Sequence, residues 1–219
     1  MSIWQKNGSK RHHNCGGTIL NKHWILTAAH CNVRRTDRLV LGQIENQTTR
    51  KAFVNVKSVR EVVNHPKSRL VNEHNFWSYD FALVRINGEI EFDEFIRPIA
   101  LPNRYFSGDS CTAAGWGETE NKAQAIFLNE AQLKIHEKGE CRPKGWQRFI
   151  DESSFCAAGT ASVCGGDSGG PLFCKDESGR SYIAGVISWS SMDCLTNAPS
   201  GFADVLVVRD WIEEIILEQ

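Results

Sequence analysis

The hydrophobic residues of this chain fall mostly into short runs that end at glycine, asparagine, aspartate or proline. Most of these runs last four to eight residues, a length and punctuation typical of β-strands. They span 18–20, 24–26, 38–41, 53–56, 81–84, 131–135 and 182–189. Many short strands at close spacing predict an antiparallel barrel or sandwich rather than alternating strands and helices.

One helix is predicted, at the end of the chain, over Arg209 to Leu217. Its apolar face, at helical spacing, consists of Val208, Trp211, Ile212, Ile215 and Ile216. The opposite face carries Glu213, Glu214 and Glu218. Because helices that lie on membranes favour Lys and Arg on their polar face, we expect this acidic helix to pack against the body of the protein.

Length and charge narrow the function classes. The chain has 219 residues, which is compatible with one large domain or two small ones. Its 25 Lys and Arg residues against 26 Asp and Glu residues give a net charge of -1, so no overall basic field favours nucleic acid or anionic lipid. No apolar run approaches the ~20 residues of a membrane-spanning helix. We expect a soluble globular protein with neither a nucleic-acid nor a membrane partner.

Eight cysteines are scattered along the chain without a C-x-x-C pair. An even number in this pattern favours disulfides, formed in an oxidising compartment, over a zinc ribbon or a redox motif. The first residues contain no apolar signal region, so we expect the chain to be incomplete at its N-terminus. Two N-x-[ST] sequons, at Asn7 and Asn46, are compatible with secretion.

Three segments carry candidate chemistry. The segment 26–31 reads L-T-A-A-H-C, 80–85 reads D-F-A-L-V-R, and 164–171 reads C-G-G-D-S-G-G-P. A lone histidine or aspartate is ambiguous, because either is common on a surface or in a turn. The glycine loop is more informative, since a serine nucleophile needs backbone N–H groups that converge on a developing oxyanion, and glycine permits that approach. Ser168 is therefore the best candidate for a nucleophile.

In this order the three segments resemble the chymotrypsin-like (trypsin-fold, S1 family) serine proteases. Further similar stretches lie at 15–20, 97–102, 114–117 and 188–189, so the resemblance covers nearly the whole chain. The chain order His, Asp, Ser also separates it from subtilisin-like and α/β-hydrolase enzymes. The resemblance implies an all-β fold of two packed six-stranded antiparallel β-barrels with a C-terminal α-helix. It implies a single peptidase domain over 1–219, with the two halves meeting at roughly 103–110.

The resemblance also implies the roles of individual residues. Ser168 is expected to attack the scissile carbonyl, His30 to take its proton and return it to the leaving amine, and Asp80 to orient His30. The amides of Gly166 and Ser168 are expected to form the oxyanion hole. The implied activity is that of a serine endopeptidase that works through an acyl-enzyme and needs no cofactor.

The resemblance also implies which residues form the primary specificity pocket. Ser162 is expected at its floor, where an Asp would hold an Arg or Lys side chain, and Ser190 and Ser200 at its walls, with Ser188 and Trp189 also among the substrate-binding residues. A neutral and narrowed pocket favours apolar or medium side chains at P1, the residue before the scissile bond. The expected partners are polypeptide substrates and protein protease inhibitors, the expected state is a monomer, and the expected location is extracellular.

The disulfides implied by the resemblance are Cys15–Cys31, Cys111–Cys174, Cys141–Cys156 and Cys164–Cys194. A zinc site is the alternative for the His/Cys group formed by His12, His13, Cys15, His30 and Cys31. If two of these cysteines are paired, no thiolates remain for a metal. A calcium site is not expected either, because Glu45 is a lone carboxylate in the corresponding loop. We therefore expect no metal.

The chain departs from the family at its start. Active members begin with a freed Ile-Val-Gly-Gly-type terminus whose ammonium pairs with the Asp before the nucleophile, here Asp167. This chain begins Met1-Ser2-Ile3, so we expect that activating terminus to be absent. An uncompensated Asp167 would then rearrange as in a zymogen and take the Gly166 amide out of the oxyanion hole. A latent or non-catalytic binding or regulatory module is therefore the alternative function.

Overall fold

A computed structural model describes residues 1–45, 55–71, 76–107, 109–137, 141, 146–191, 193–196 and 198–217. In the first half of the chain, the strands are β1 (Ser2–Asn7), β2 (Lys10–Gly16), β3 (Thr18–Ile19), β4 (Trp24–Thr27), β5 (Arg38–Leu41), β6 (Asn55–Asn64), β7 (Arg69–Val71), β8 (Phe76–Ser78) and β9 (Ala82–Ile86). In the second half they are β10 (Ser110–Gly115), β11 (Asn129–Ile135), β12 (Ser154–Gly159), β13 (Pro171–Lys175), β14 (Ser181–Trp189) and β15 (Ser200–Asp204), followed by the helix α1 (Arg209–Leu217). The predicted run 53–56 lies partly outside the described residues.

The first half forms a curled sheet of seven strands in the order β2-β1-β5-β6-β9-β4-β3. Its two ends, β2 and β3, are consecutive in the chain, with only Gly17 between them. β2 pairs with β1, whereas β3 pairs with β4, so the backbone changes partners at Gly17. A Cβ on Gly17 would lie 3.0 Å from the Ile25 side chain, which leaves little room for any other residue at this bend. Because 10–19 is one continuous segment, the seven-stranded sheet curls back toward its own start, with β7-β8 as a separate two-stranded ribbon. This curled sheet is consistent with the fold that the family resemblance implies.

The second half is a closed six-stranded barrel in the order β10-β11-β12-β15-β14-β13. Its interior holds fully buried side chains from several strands, namely Leu133, Phe155, Leu172 and Phe202. Gly185 lies beneath two of these rings, and a Cβ there would come within 2.8 Å of Phe155 and 2.9 Å of Phe202. The mostly antiparallel all-β architecture predicted from the hydrophobic pattern is confirmed.

The helix α1 has the bounds that its apolar periodicity predicts, and it packs on the core of the first half. Ile212 is completely buried, and Trp211 and Ile215 are partly buried against the same cluster. The Trp211 ring meets the ring of His65 edge-on, with centroids 4.8 Å apart. No helix in the described part of the chain is long and apolar enough to cross a membrane.

Four disulfides join Cys15 to Cys31, Cys111 to Cys174, Cys141 to Cys156 and Cys164 to Cys194. The pairs are those that the family resemblance implies, and they leave no cysteine free. The Cys15–Cys31 bond lies in the first half and the other three lie in the second half.

Candidate active site

His30 and Asp80 form a hydrogen-bonded pair in the first half. His30 lies in a short 3-10 turn, Ala29–Cys31, directly after β4, and Asp80 lies between β8 and β9. The Asp80 carboxylate is 1% exposed. One oxygen is 2.6 Å from Nδ1 of His30, and the other accepts the backbone N–H of His30 at 2.9 Å. Because a carboxylate can only accept, the proton of a neutral His30 sits on Nδ1, and Nε2 carries the lone pair.

A hydroxyl from the second half donates a further hydrogen bond to Asp80. Ser188 donates from Oγ to the same carboxylate oxygen that faces Nδ1, at 2.6 Å. The resemblance implies a substrate-binding role for Ser188, and in the structure its hydroxyl contacts Asp80. Three hydrogen bonds from two residues therefore offset the desolvation of this buried carboxylate.

Ser168 lies in the glycine-rich loop between Cys164 and Pro171, and backbone contacts hold this loop against the first half. Gly16 donates its N–H to the Ser168 carbonyl at 2.7 Å. Gly169 has a positive φ of 75°, and a Cβ there would collide with the Thr27 hydroxyl and lie 3.0 Å from Sγ of Cys31. Since Cys31 directly follows His30, this packing brings the Ser168 loop next to the segment that carries the His–Asp pair.

The carbonyl of Gly166 is held by a buried histidine that sequence reasoning does not single out for this purpose. Nε2 of His13 is 2.8 Å from the Gly166 oxygen, and Nδ1 of His13 is 2.6 Å from the Ser2 hydroxyl. A carbonyl can only accept, so Nε2 carries the proton and Ser2 donates to Nδ1. Burial lowers the pKa of His13, which favours this neutral form. Gly166 itself has a φ of 94°, a conformation suited to glycine.

The Asp167 side chain is held by backbone groups of the second half. Its two carboxylate oxygens accept the backbone N–H groups of Gly117 at 2.7 Å and of Cys164 at 2.9 Å. Burial raises the pKa of Asp167, while these two amides act in the opposite direction. The carboxylate also borders a cavity of about 600 Å³ whose lining includes four further carboxylates, those of Glu118, Glu120, Glu130 and Asp193.

Of the three serines expected around the specificity pocket, Ser162 and Ser200 are in contact with each other. The Ser162 and Ser200 hydroxyls are 3.2 Å apart, and Ser162 donates to the Val163 carbonyl at 3.0 Å. Ser200 is 1% exposed, whereas Ser162 and Ser190 are half-buried. The hydroxyls of Ser162 and Ser200 are thus already engaged with each other.

Trp189, also expected at the substrate site, is packed into the protein. A Cβ on Gly201 would collide with its indole ring, so the tryptophan fills the space that a side chain at residue 201 would need. The ring stacks on Trp146, with centroids 5.3 Å apart and planes 2° apart, and contacts Phe149. Among the residues that the structure describes, the buried indole nitrogen has no hydrogen-bond partner. Trp146 and Phe149 come from a segment in which the sequence shows no motif.

A metal centre at the His/Cys group is not compatible with its bonding. Cys15, His30 and Cys31 do lie within ligand distance of one another. However, the two sulfurs are bonded to each other, and Nδ1 of His30 is engaged with Asp80. The group therefore offers no thiolate.

Comparison with known proteins identifies the family. The family model described as Trypsin matches residues 2–212. The chain is 32% identical over 220 residues to the serine proteinase stubble of Drosophila melanogaster, an alignment that covers 92% of this chain and 27% of that protein. The chain thus spans about a quarter of the length of this curated relative. The match across nearly the whole chain, on a fold with the His–Asp pair and the glycine-rich serine loop in place, means that the chain belongs to the trypsin, or chymotrypsin-like, family of serine proteases.

Proposed function

We propose that this protein is a serine endopeptidase that hydrolyses peptide bonds through an acyl-enzyme. The observation that carries this proposal is the double engagement of Asp80, which accepts both the ring N–H and the backbone N–H of His30. Such an arrangement fixes both the position and the tautomer of the imidazole. Nε2 is then the base that takes the proton of the Ser168 hydroxyl and later returns it to the leaving amine.

The negative oxygen that develops during attack is stabilised by the backbone N–H groups of Gly166 and Ser168. The link from His13 to the Gly166 carbonyl supports this role, because it anchors the backbone of the residue whose N–H is required. Asp167 holds the other end of the loop through the amides of Gly117 and Cys164. In an activated form, Asp167 pairs with a cation that replaces part of this support.

The P1 side chain is apolar or medium in size. Ser162, Ser190 and Ser200 offer hydroxyls and no carboxylate, so these three positions give a buried ammonium or guanidinium no counter-charge to offset its lost hydration. The substrates are polypeptides, and protein protease inhibitors bind the same cleft. The four disulfides support an extracellular location.

The direct test is reaction with a serine-directed fluorophosphonate probe. The protein should be labelled at Ser168, and Ser168→Ala should abolish the labelling. Ser178→Ala, which alters an exposed turn serine, is the matched control and should leave labelling unchanged. Failure of the unaltered protein to react would instead favour a non-catalytic binding module.

A further inference from the structure

Positive charge is concentrated at the start of the chain. The first 44 residues contain one acidic side chain, that of Asp37. The same stretch contains the basic residues Lys6, Lys10, Arg11, Lys22, Arg34, Arg35 and Arg38. The net charge of -1 over the whole chain therefore conceals a strongly basic region that the remaining residues balance.

Six of these residues lie on neighbouring segments of the first half, in what we call the basic patch: Lys6, Lys10, Arg11, Arg34, Arg35 and Arg38. Lys6 in β1 lies directly opposite Arg11 in β2, and Trp4, two residues from Lys6, lies opposite Arg38 in β5. Side chains two residues apart share a face, so all three cations lie on one face of the sheet. Arg11 also donates to the Thr36 carbonyl at 2.9 Å, which fastens the loop carrying Arg34 and Arg35 to the hairpin.

The basic patch has no counter-charge in the described part of the chain. None of its six side chains forms an ion pair there, and the nearby Asp37 is 1% exposed and accepts the N–H of Arg34. Like charges directly opposite each other, as in Lys6 and Arg11, destabilise a hairpin. One alternative reason for these cations is that charge on an edge strand prevents aggregation. That reason does not apply to Arg34 and Arg35, because they lie in a loop.

The basic patch adjoins the His30 side of the active site. Arg34 is four residues from His30, a separation that spans at most about 14 Å. The Cys15–Cys31 disulfide ties β2 to the turn that carries His30, and the Gln5 side chain donates to the Cys31 carbonyl at 2.8 Å. Ser162 and Ser200, by contrast, belong to the second half. In the proposed reaction His30 gives its proton to the leaving amine, which belongs to the first residue after the scissile bond. That part of the substrate therefore lies near His30, on the side of the basic patch.

We propose that the basic patch binds an acidic segment of polypeptide substrates, rich in Asp or Glu, on the C-terminal side of the cleaved bond. This inference rests on the proposed endopeptidase function. β2 is an end strand in the order of the sheet and pairs with β1 alone. On its outer edge the Gly16 N–H and the His13 carbonyl already face Ser168 and Gln124, so the stretch beside Arg11 is the part that can hydrogen bond to an extended peptide. A sulfated polysaccharide could match the charge of the patch but has no peptide backbone to use this edge.

The first experiment compares peptides that differ only in the three residues after the scissile bond, Asp/Glu in one and Asn/Gln in the other. We expect kcat/KM to favour the acidic peptide by about five- to tenfold at low salt, and the preference to fade at 1 M salt. The double variant Arg34→Ser/Arg35→Ser should lower the acidic-to-neutral ratio toward one. The matched control, Lys134→Ser/Lys175→Ser, removes two exposed charges from the second half and should keep the ratio.

The second experiment measures binding without catalysis. The acidic peptide is titrated into Ser168→Ala protein by calorimetry, with and without the Arg34/Arg35 changes, and heparin is titrated in parallel. The proposal is supported if the acidic peptide binds more tightly than the neutral one and the arginine changes weaken this binding. This result would support it even if fluorophosphonate labelling disproves catalysis. Equal binding of the two peptides, an equal loss in the Lys134/Lys175 control, or binding of heparin alone would overturn it.

Discussion

The backbone N–H of Tyr79 donates a 2.8 Å hydrogen bond to the hydroxyl of Ser153. Tyr79 belongs to the first half and Ser153 to the second, and Ser153 is 1% exposed. Tyr79 directly precedes Asp80 and has a φ of 49°, a strained conformation for a residue with a large side chain. This one bond therefore connects the halves of the molecule at the residue next to the buried carboxylate.

Replacing Ser153 with alanine should weaken both stability and the His30–Asp80 pair. The hydroxyl also donates to Asp151 at 2.7 Å, so the change leaves a buried amide and a carboxylate oxygen short of a partner. We expect a loss of about 1–3 kcal/mol in the free energy of unfolding. Urea denaturation measures it, and Ser178→Ala serves as the exposed control. If the two variants prove equally stable, the Tyr79 bond is unimportant.

Ser168→Ala and His30→Ala should each lower kcat for peptide hydrolysis by several orders of magnitude. Because the proposed nucleophile and base act as a unit, the double variant should be scarcely slower than either single one. The kinetics of the three purified variants on one peptide check this. Losses that multiply in the double variant would contradict the assigned roles.

Acidification should destabilise the protein partly through His13. Burial lowers the pKa of His13 below its ordinary value of 6.5, so the unfolded chain binds a proton at this residue more readily than the folded protein does. Stability is therefore lost as the pH falls through 6.5. His13→Gln removes the titrating group and should flatten this dependence in urea titrations between pH 7 and pH 5. An unchanged slope in His13→Gln would show that this histidine does not contribute to the pH dependence.

Peptides with Leu, Met or a slim aromatic residue at P1 should be cleaved with higher kcat/KM than matched Arg peptides. Ser162→Asp should shift the preference toward basic residues only in part, because the surrounding loops also shape the pocket. The Ser162–Ser200 contact would be replaced by a carboxylate next to a buried hydroxyl. A clear preference of the unaltered enzyme for Arg or Lys would show that Ser162 is not the pocket floor.

Gly201→Ala should displace Trp189, because a Cβ at residue 201 collides with the indole ring. We expect the Trp146–Trp189 stack to separate, a change visible in tryptophan fluorescence, and a loss of about 1–3 kcal/mol in stability. Gly88→Ala is the control: it adds a Cβ in open space at a φ of 77°, so it tests backbone strain alone. Identical fluorescence in the two variants would rule out the collision.

The elements predicted best from the sequence are those whose buried residues recur at a regular spacing. The helix Arg209–Leu217 has its predicted bounds because its apolar residues repeat at helical spacing, and β5 (Arg38–Leu41) matches its apolar run. The hairpin of β1 and β2 is missed because its strands carry many polar residues, including Lys6 and Arg11. Its pairing depends on contacts with the rest of the sheet rather than on a local preference.

The motifs predict candidate site residues, but they give no indication of the residues that contact them. His13 and the Gly166 carbonyl are 153 positions apart in the chain, and Ser188 is 108 positions from Asp80. A single serine or histidine carries no local signal for such a partner, because only the folded topology brings the two together. The basic patch is similar, since a total charge of -1 hides its position.

The distribution of the disulfides leaves the seam between the two halves without a covalent crosslink. Each of the four bonds closes a loop within one half, whereas His30 and Asp80 lie on one side of the seam and Ser168 lies on the other. Across the seam, the Ser168 loop is held by hydrogen bonds such as the one from Gly16, and by the close packing of Gly169. The core of the first half, however, also includes Ile183, Val186 and Ile212 from the second half. Opening the seam would therefore expose apolar side chains that no disulfide holds together, so we expect the geometry of the candidate site and the core of the first half to be lost together.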